Sequence, residues 1–524
     1  MSDLTTIHPE ASGEIKTEIK KLKRELTLLP LFGLMYFTVS GGSFGIEALI
    51  GWSGPGLAIL LIVLTPLIFS LPNVLMVREL GTMMPAEGGY YHWVKKAFGP
   101  FAGFLAGWNN WVVTWLDVTI YPLLAVYYLG FFFPALREGT MIGGIEVSAE
   151  LLSWLLAVVI IWLISWMQIR GARLSGMFTN WLGIFMIMPL VVMAILGIYS
   201  WIASGTTISL PFLPEGESLV GAFSVGLFVV MWNYMGWELP SVAGDEIVNP
   251  RKTYPRAMTL VLIAAILTYL LPVLGGLYGG GGDDGRYQLW GIEGGDEGIG
   301  PVLEEYGVTP EQMDVWGVDP SSTVGWEFPE IGQAVANKLG NPSLALVLGG
   351  WLTIAAVLSM IGLFTGNSLG GSRVPFALAE DGMFPRWMVK VHGKYGTPWV
   401  AIVLVGIIYS IFSISAFAFL VVADVFLQCL VILAEFAAMW KLRFSEPDRP
   451  RDRVPGGWLG LILVTAGPTI IILVAFISQY LEAGFSSIGW ALGFMALGMI
   501  LYFPIKKYLK PGVPDIDPFV SGVD

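Results

Sequence analysis

The chain has 524 residues, of which 55% are hydrophobic and only 13% charged, and its mean hydropathy is +0.70. Soluble domains carry about a quarter of their residues as Asp, Glu, Lys and Arg, so this composition excludes a soluble fold. The net charge of −12 argues against nucleic acid as a partner, and the single cysteine, Cys429, excludes an internal disulfide.

In chain order, residues 1–25 form a polar segment, expected in the cytoplasm, with Lys16, Lys20, Lys21, Lys23 and Arg24 ahead of the first apolar run. No cleavable leader is read there. Twelve apolar runs follow, at 27–50, 56–77, 98–130, 149–168, 174–201, 219–243, 256–280, 342–370, 398–415, 417–441, 457–479 and 485–506. Each suits a spanning helix, which needs ~20 residues. The expected class is an all-α integral membrane protein with 12 transmembrane helices. Residues 26–510 are expected to make a single transmembrane domain and residues 511–524 a cytoplasmic tail. With the N-terminus inside, the outer loops hold only Arg137, Arg286 and Lys338 among all lysines and arginines. That asymmetry predicts a multi-pass protein of the cell (plasma) membrane with both termini cytoplasmic.

The first run is interrupted at Ser40-Gly41-Gly42-Ser43-Phe44-Gly45-Ile46-Glu47. Irregular backbone survives at membrane depth only where it lines a cavity or is buried in protein. A broken helix with an acid beside the break is a pointer to a transporter site. The third run carries Gly99, Gly103 and Gly107, and the eighth Gly362, Gly366 and Gly370, a spacing that predicts close helix packing. A transporter of inverted repeats breaks a second helix at the matching place, and with five spans per repeat span six matches span one. The sixth run does carry Asn233, Gly236, Glu238 and Pro240 near its centre. Gly279 to Gly282 reads as a flexible loop start, and the outer loop, about 281–330, holds twelve carboxylates against Arg286. That surface is expected either to be simply solvated or to concentrate cations.

These segments resemble a known family. Ser40 to Glu47 with Gly54-Pro55-Gly56 is similar to the first span of the amino acid–polyamine–organocation superfamily, and Glu79 to Pro85 with Gly88-Gly89-Tyr90 to its second-to-third loop. Trp232-Asn233, Gly244-Asp245-Glu246 and Asn249-Pro250 resemble its sixth span and following loop, Ala379 to Pro385 and Tyr395 to Pro398 its eighth-to-ninth loop, and the likeness covers about 27–440. Gly41-Gly42, Phe44-Gly45 and Glu47, with Asp117 and Tyr121-Pro122, are most similar to the polyamine uptake branch. The resemblance implies a LeuT-type 5+5 inverted repeat with discontinuous helices 1 and 6. It also implies alternating access around a midplane site, with Arg78 to Lys96 forming part of the cytoplasmic gate.

Ionisable groups inside a membrane are costly and mark function. The spans hold Glu47, Asp117, Glu238, Asp424 and Glu435 with no lysine or arginine deep enough to pair easily. Low dielectric disfavours a carboxylate's charge, so such a group can trade a proton for an ammonium. Glu47 and Glu238 are the expected ammonium ligands, and Asp117 serves a second amine or a coupling proton. Asp424 and Glu435 are open between a site and polar packing. Tyr121, Tyr234 and Trp237 are candidate cation–π partners. Gly41, Gly42, Ser43 and Gly45 offer backbone, and Asn233 a polar side chain. Together these predict a secondary active transporter that imports polyamines such as putrescine or spermidine. The competing reading is an amino acid transporter or exchanger of the same fold. No cofactor is expected. Proton coupling is favoured, and a sodium site at Ser359 and Thr365 stays open. The histidines, His8, His92 and His392, lie in or near polar segments, and no HExxH or serine elbow occurs, so the chain is not read as an enzyme.

Overall fold

The structure, a computed structural model, describes residues 27–84, 89–170, 175–205, 210–214, 216–238, 248–294, 297–380 and 382–508. The polar segment 1–25, the tail 511–524 and the sixth run beyond Glu238, with Pro240, lie outside the described residues.

Among the described residues, nine helices are long and apolar enough to cross a membrane: Pro55–Met83, Pro100–Leu129, Ala149–Arg170, Phe185–Ser204, Lys252–Gly281, Pro342–Phe376, Phe417–Ser445, Gly457–Glu482 and Ile488–Ile505. Leu219–Asn233 and Trp399–Phe412 are shorter apolar helices. The first run forms two pieces, Leu28–Val39 and Glu47–Ser53, separated by the glycine-rich break. The molecule is a helical multi-pass bundle.

Helix boundaries follow local chemistry. Gly54, at φ +76°, ends one helix, and Pro55 opens the next, where its missing N–H costs nothing. The free amides of Gly56 and Leu57 donate to the carbonyls of Pro211 and Phe212 at 3.1 Å each, so this helix start is satisfied from outside. One small hairpin departs from the all-helical expectation. Thr140–Ile142 pairs with Ile145–Val147 across Gly143 and Gly144, both at positive φ, as a two-residue turn with right-handed strand twist requires.

Helices Pro100–Leu129 and Phe417–Ser445 form the centre, their apolar windows being 78% and 72% buried, against 28% and 22% for Gly457–Glu482 and Ile488–Ile505. The central pair carries Asp117, Asp424 and Glu435, so burial and intramembrane charge coincide. Lipid is as apolar as leucine, so helices associate here through close packing. Gly103 lies against Lys95, and Gly107 against Leu378 and Tyr91, as their spacing predicts, whereas a methyl group on Gly99 would meet nothing within 4 Å. Gly362, Gly366 and Gly370 do not: they are exposed, and a methyl group on any of them would meet nothing within 4 Å. Gly279 also differs from expectation. It is buried in a helical turn, where a methyl group would come within 2.7 Å of Gly197 Cα and of Val335.

The acidic loop is a built cap. It contains Gly300–Glu305, Pro310–Trp316 and Phe328–Lys338 and a small core around Leu289, Ile292, Leu303 and Met313. A cap with its own core holds side chains at fixed places, and two of its acids turn inward instead of facing solvent.

Candidate functional site

The break in the first run is held open by glycine. Gly41, Gly42 and Gly45 stand at φ +58°, +107° and +90°, a region that side-chain-bearing residues rarely adopt. The Ser359 hydroxyl donates to the Gly41 carbonyl, so the eighth-run helix Pro342–Glu380 meets the break there. Thr365, by contrast, donates to Ile361 of its own helix at 2.7 Å. The Ser43 hydroxyl is fully buried and has no partner.

Glu47 opens the second piece and is fully buried. Its Oε2 accepts from the Gly45 amide at 2.7 Å, and its Oε1 accepts from the Tyr128 hydroxyl at 2.9 Å and the Phe328 amide at 3.1 Å. The Phe328 amide belongs to the acidic cap, so Glu47 fastens the cap onto the break. Beside it lies a cavity of about 10 Å³ lined by Gly45, Ala48, Glu293 and Glu327, among others, room for about one water. Glu293 accepts from the Tyr127 hydroxyl at 2.9 Å and from the amides of Phe417 and Ala418 at 3.2 and 3.4 Å. Burial pushes the Glu293 carboxyl above the usual carboxylate range. Glu327 is pushed well above it by burial and then by the Glu47 charge, with Arg137 opposing. Arg137 itself pairs with Glu330 at 2.8 Å.

The second break sits at the end of Leu219–Asn233. Gly236 at φ +88° turns the chain, and the carbonyls released there find side-chain donors. Asn233 O accepts from the Tyr269 hydroxyl at 2.8 Å, and Tyr234 O accepts from Trp237 Nε1 at 2.7 Å and the Ser70 hydroxyl at 3.2 Å. Tyr234 donates its hydroxyl to Ile62 O at 3.0 Å, and Asn233 donates to Val229 O at 2.9 Å. Trp237 thus donates to the break's own backbone, Tyr234 to a neighbouring helix and Asn233 to the preceding turn of its own helix.

Asp117, Tyr121 and Glu238 come together with residues the sequence reading did not select. Asp117 accepts from the Tyr121 hydroxyl at 2.9 and 3.0 Å and from Trp232 Nε1 at 3.0 Å. The rings of Tyr121 and Trp232 lie 6.3 Å apart at 31°. Glu238 Oε1 accepts from Gln428 Nε2 at 2.6 Å. Glu238 lies within electrostatic reach of Asp117, whereas Glu47 is grouped with Glu327. The two acids at the breaks therefore fall into separate groups.

The opposite end is tied by ion pairs. Glu79, fully buried, takes both nitrogens of the Arg443 fork and the Val454 amide at 2.8 Å. Arg78 pairs with Asp452 at 3.2 Å and Lys96 with Glu446 at 3.3 Å. Breaking a buried pair by removing one partner costs about 3–5 kcal/mol, whereas the exposed pairs contribute about 0–1 kcal/mol. The Glu79–Arg443 pair is the firm one.

Sequence reasoning missed Tyr128, Trp232, Gln428, Glu293 and Glu327. Tyr128 was within reach, because 117, 121 and 128 share a helix face. The cap residues carry no such signal, since their positions depend on contacts distant in sequence.

Residues 26–502 match the family model described as "Amino acid permease". The chain is 30% identical to the polyamine transporter RMV1 of Arabidopsis thaliana, over 97% of this chain and 90% of that protein. It is 31% identical to the polyamine transporter PUT1 of Oryza sativa subsp. japonica, over 94% and 82% respectively.

Proposed function

The chain belongs to the amino acid permease family, a family of transporters and not of enzymes, and from that premise we propose that it imports polyamines or related organic cations by alternating access. One observation carries the reading: the interior holds carboxylates, and among the described residues the ion pairs leave Asp117, Glu238, Asp424 and Glu435 without a cation. Uncompensated acids in low dielectric favour a cationic ligand. Relatives named as polyamine transporters support the same substrate class.

In this reading Glu238 and Asp117 receive ammonium groups such as those of putrescine or spermidine. Tyr121 and Trp232 offer ring faces to the cation. Glu47 receives an ammonium once Tyr128 and Phe328 release it. The backbone at Gly41, Gly42, Ser43 and Gly45 and the second break at Asn233, Tyr234 and Trp237 line the substrate site with them. Twelve spans in a LeuT-type 5+5 arrangement, in the plasma membrane with cytoplasmic termini, accommodate the described helices. Domain limits of 26–510, flanked by cytoplasmic segments, go with this arrangement. Protons handled by the carboxylates drive uptake. The Ser359 bond to Gly41 supports sodium as the alternative coupling ion.

The family description, amino acid permease, supports a second substrate reading, a cationic or neutral amino acid. Uptake into liposomes holding the purified chain separates the two. Spermidine accumulation that rises with an inward proton gradient is expected. Exchange of arginine or leucine with no spermidine uptake would overturn the polyamine reading.

A further inference from the structure

Helix Phe417–Ser445 carries buried polarity that the site above leaves unused. Asp424, Gln428 and Glu435 stand at i, i+4 and i+11 and so share one face, spread over roughly 16 Å of helix at 1.5 Å per residue. They are 3%, 4% and 0% exposed. Each retains oxygen without a hydrogen-bond partner: Oδ1 of Asp424, Oε1 of Gln428 and both carboxyl oxygens of Glu435. Native structures rarely leave such atoms unpaired, because nothing then offsets their lost hydration.

This face looks onto Glu238. Gln428 donates to Glu238, Asp424 lies within electrostatic reach of both Glu238 and Asp117, and Glu435 within reach of Glu238. Gln428, which holds Glu238, stands four residues after Asp424 and seven before Glu435 on the helix, so Glu238 meets the face between the two acids. None of the ion pairs among the described residues involves these four acids. The row is linear and made of carboxyl groups with unpaired oxygens. A linear polyamine is its complement, with positive charges at intervals along a flexible methylene chain. A diamine reaches from Glu238 toward one end only, whereas a longer amine reaches both.

Resting on the polyamine reading, we propose that Asp424 and Glu435 are two further ammonium subsites at opposite ends of a trough centred on Glu238, and that the trough selects triamines and tetramines over diamines. Gln428 holds Glu238 in line between them and lends its free carbonyl oxygen to a passing N–H.

The test is equilibrium binding of putrescine, spermidine and spermine to the purified full-length chain in nanodiscs. The unaltered protein is expected to bind spermidine and spermine at least about tenfold more tightly than putrescine. Glu435→Gln and Asp424→Asn should each weaken the longer amines about tenfold or more and putrescine less than about threefold, removing the length preference. Equal losses for all three amines, as a general proton-handling role would produce, overturn the trough, and so does an unchanged preference in both variants. Either result leaves the polyamine reading standing. Absence of any polyamine binding by the unaltered protein overturns both. Should one variant fail to give a monodisperse protein, the other decides.

Discussion

Glu47 and Glu293, at the cap, each meet three donors from the protein. Asp424 and Glu435, in the interior, are as deeply buried, yet keep oxygens that meet none. The same functional group thus stands in two different settings in one molecule. A carboxylate surrounded by amide and hydroxyl donors is a fastening, and its removal should loosen the fold. A carboxylate without donors stabilises nothing until a cation arrives, and its removal should cost binding and spare stability.

Substitutions sharpen or break this contrast. The largest effect is expected at the hinge between the two groups. A side chain at Gly45 would press on Leu124 and Trp232, its Cβ only 3.2 Å from each, at a φ of +90°. Gly45→Leu should reduce uptake of labelled spermidine to background, and normal uptake would refute an open break. Next comes Glu238→Gln, which should weaken spermidine binding about a hundredfold, as for loss of one partner in a buried charge pair, about 2–5 kcal/mol. Its Tm should stay within a degree, and near-normal affinity would remove Glu238 from the site. Trp232→Phe keeps the ring and deletes the donor to Asp117, so a loss of about tenfold is expected by titration. A larger fall in Tm than in affinity would make Trp232 a packing residue. Smallest in binding is Glu47→Gln, whose new amide would face the Gly45 N–H. Here Tm should fall by several degrees, reflecting about 1–3 kcal/mol for a spoiled buried hydrogen bond, while affinity shifts only about threefold, because Glu47 meets an ammonium only after giving up its three protein donors. An unchanged Tm would break the comparison.

Much of this was legible in the chain. The first break announces itself because glycine is the residue that tolerates positive φ, and three glycines around two serines cannot continue a membrane helix unaided. The second was marked by Gly236 and the polar residues near it. Asp117 and Tyr121, four apart, share a helix face by arithmetic alone. What stayed hidden depends on distant pairing. Nothing local to Glu293 or Glu327 says that they fold inward, since that follows from the cap's own core. The Tyr234 hydroxyl reaches the Ile62 carbonyl on another helix, a contact that no local pattern in the chain announces. The glycines at 362, 366 and 370 carry a packing signature, and their exposure could be learned only from where the other helices lie.

The hairpin at Gly143-Gly144 has an experimental use. Met141 on its first strand is 65% exposed, and the chain's one cysteine, Cys429, is buried. A Met141→Cys variant therefore carries a single reachable thiol at the cap end of the bundle. Reaction of that thiol in intact cells with a maleimide that cannot cross lipid would report which side of the membrane the acidic cap faces, without a tag or a fusion partner.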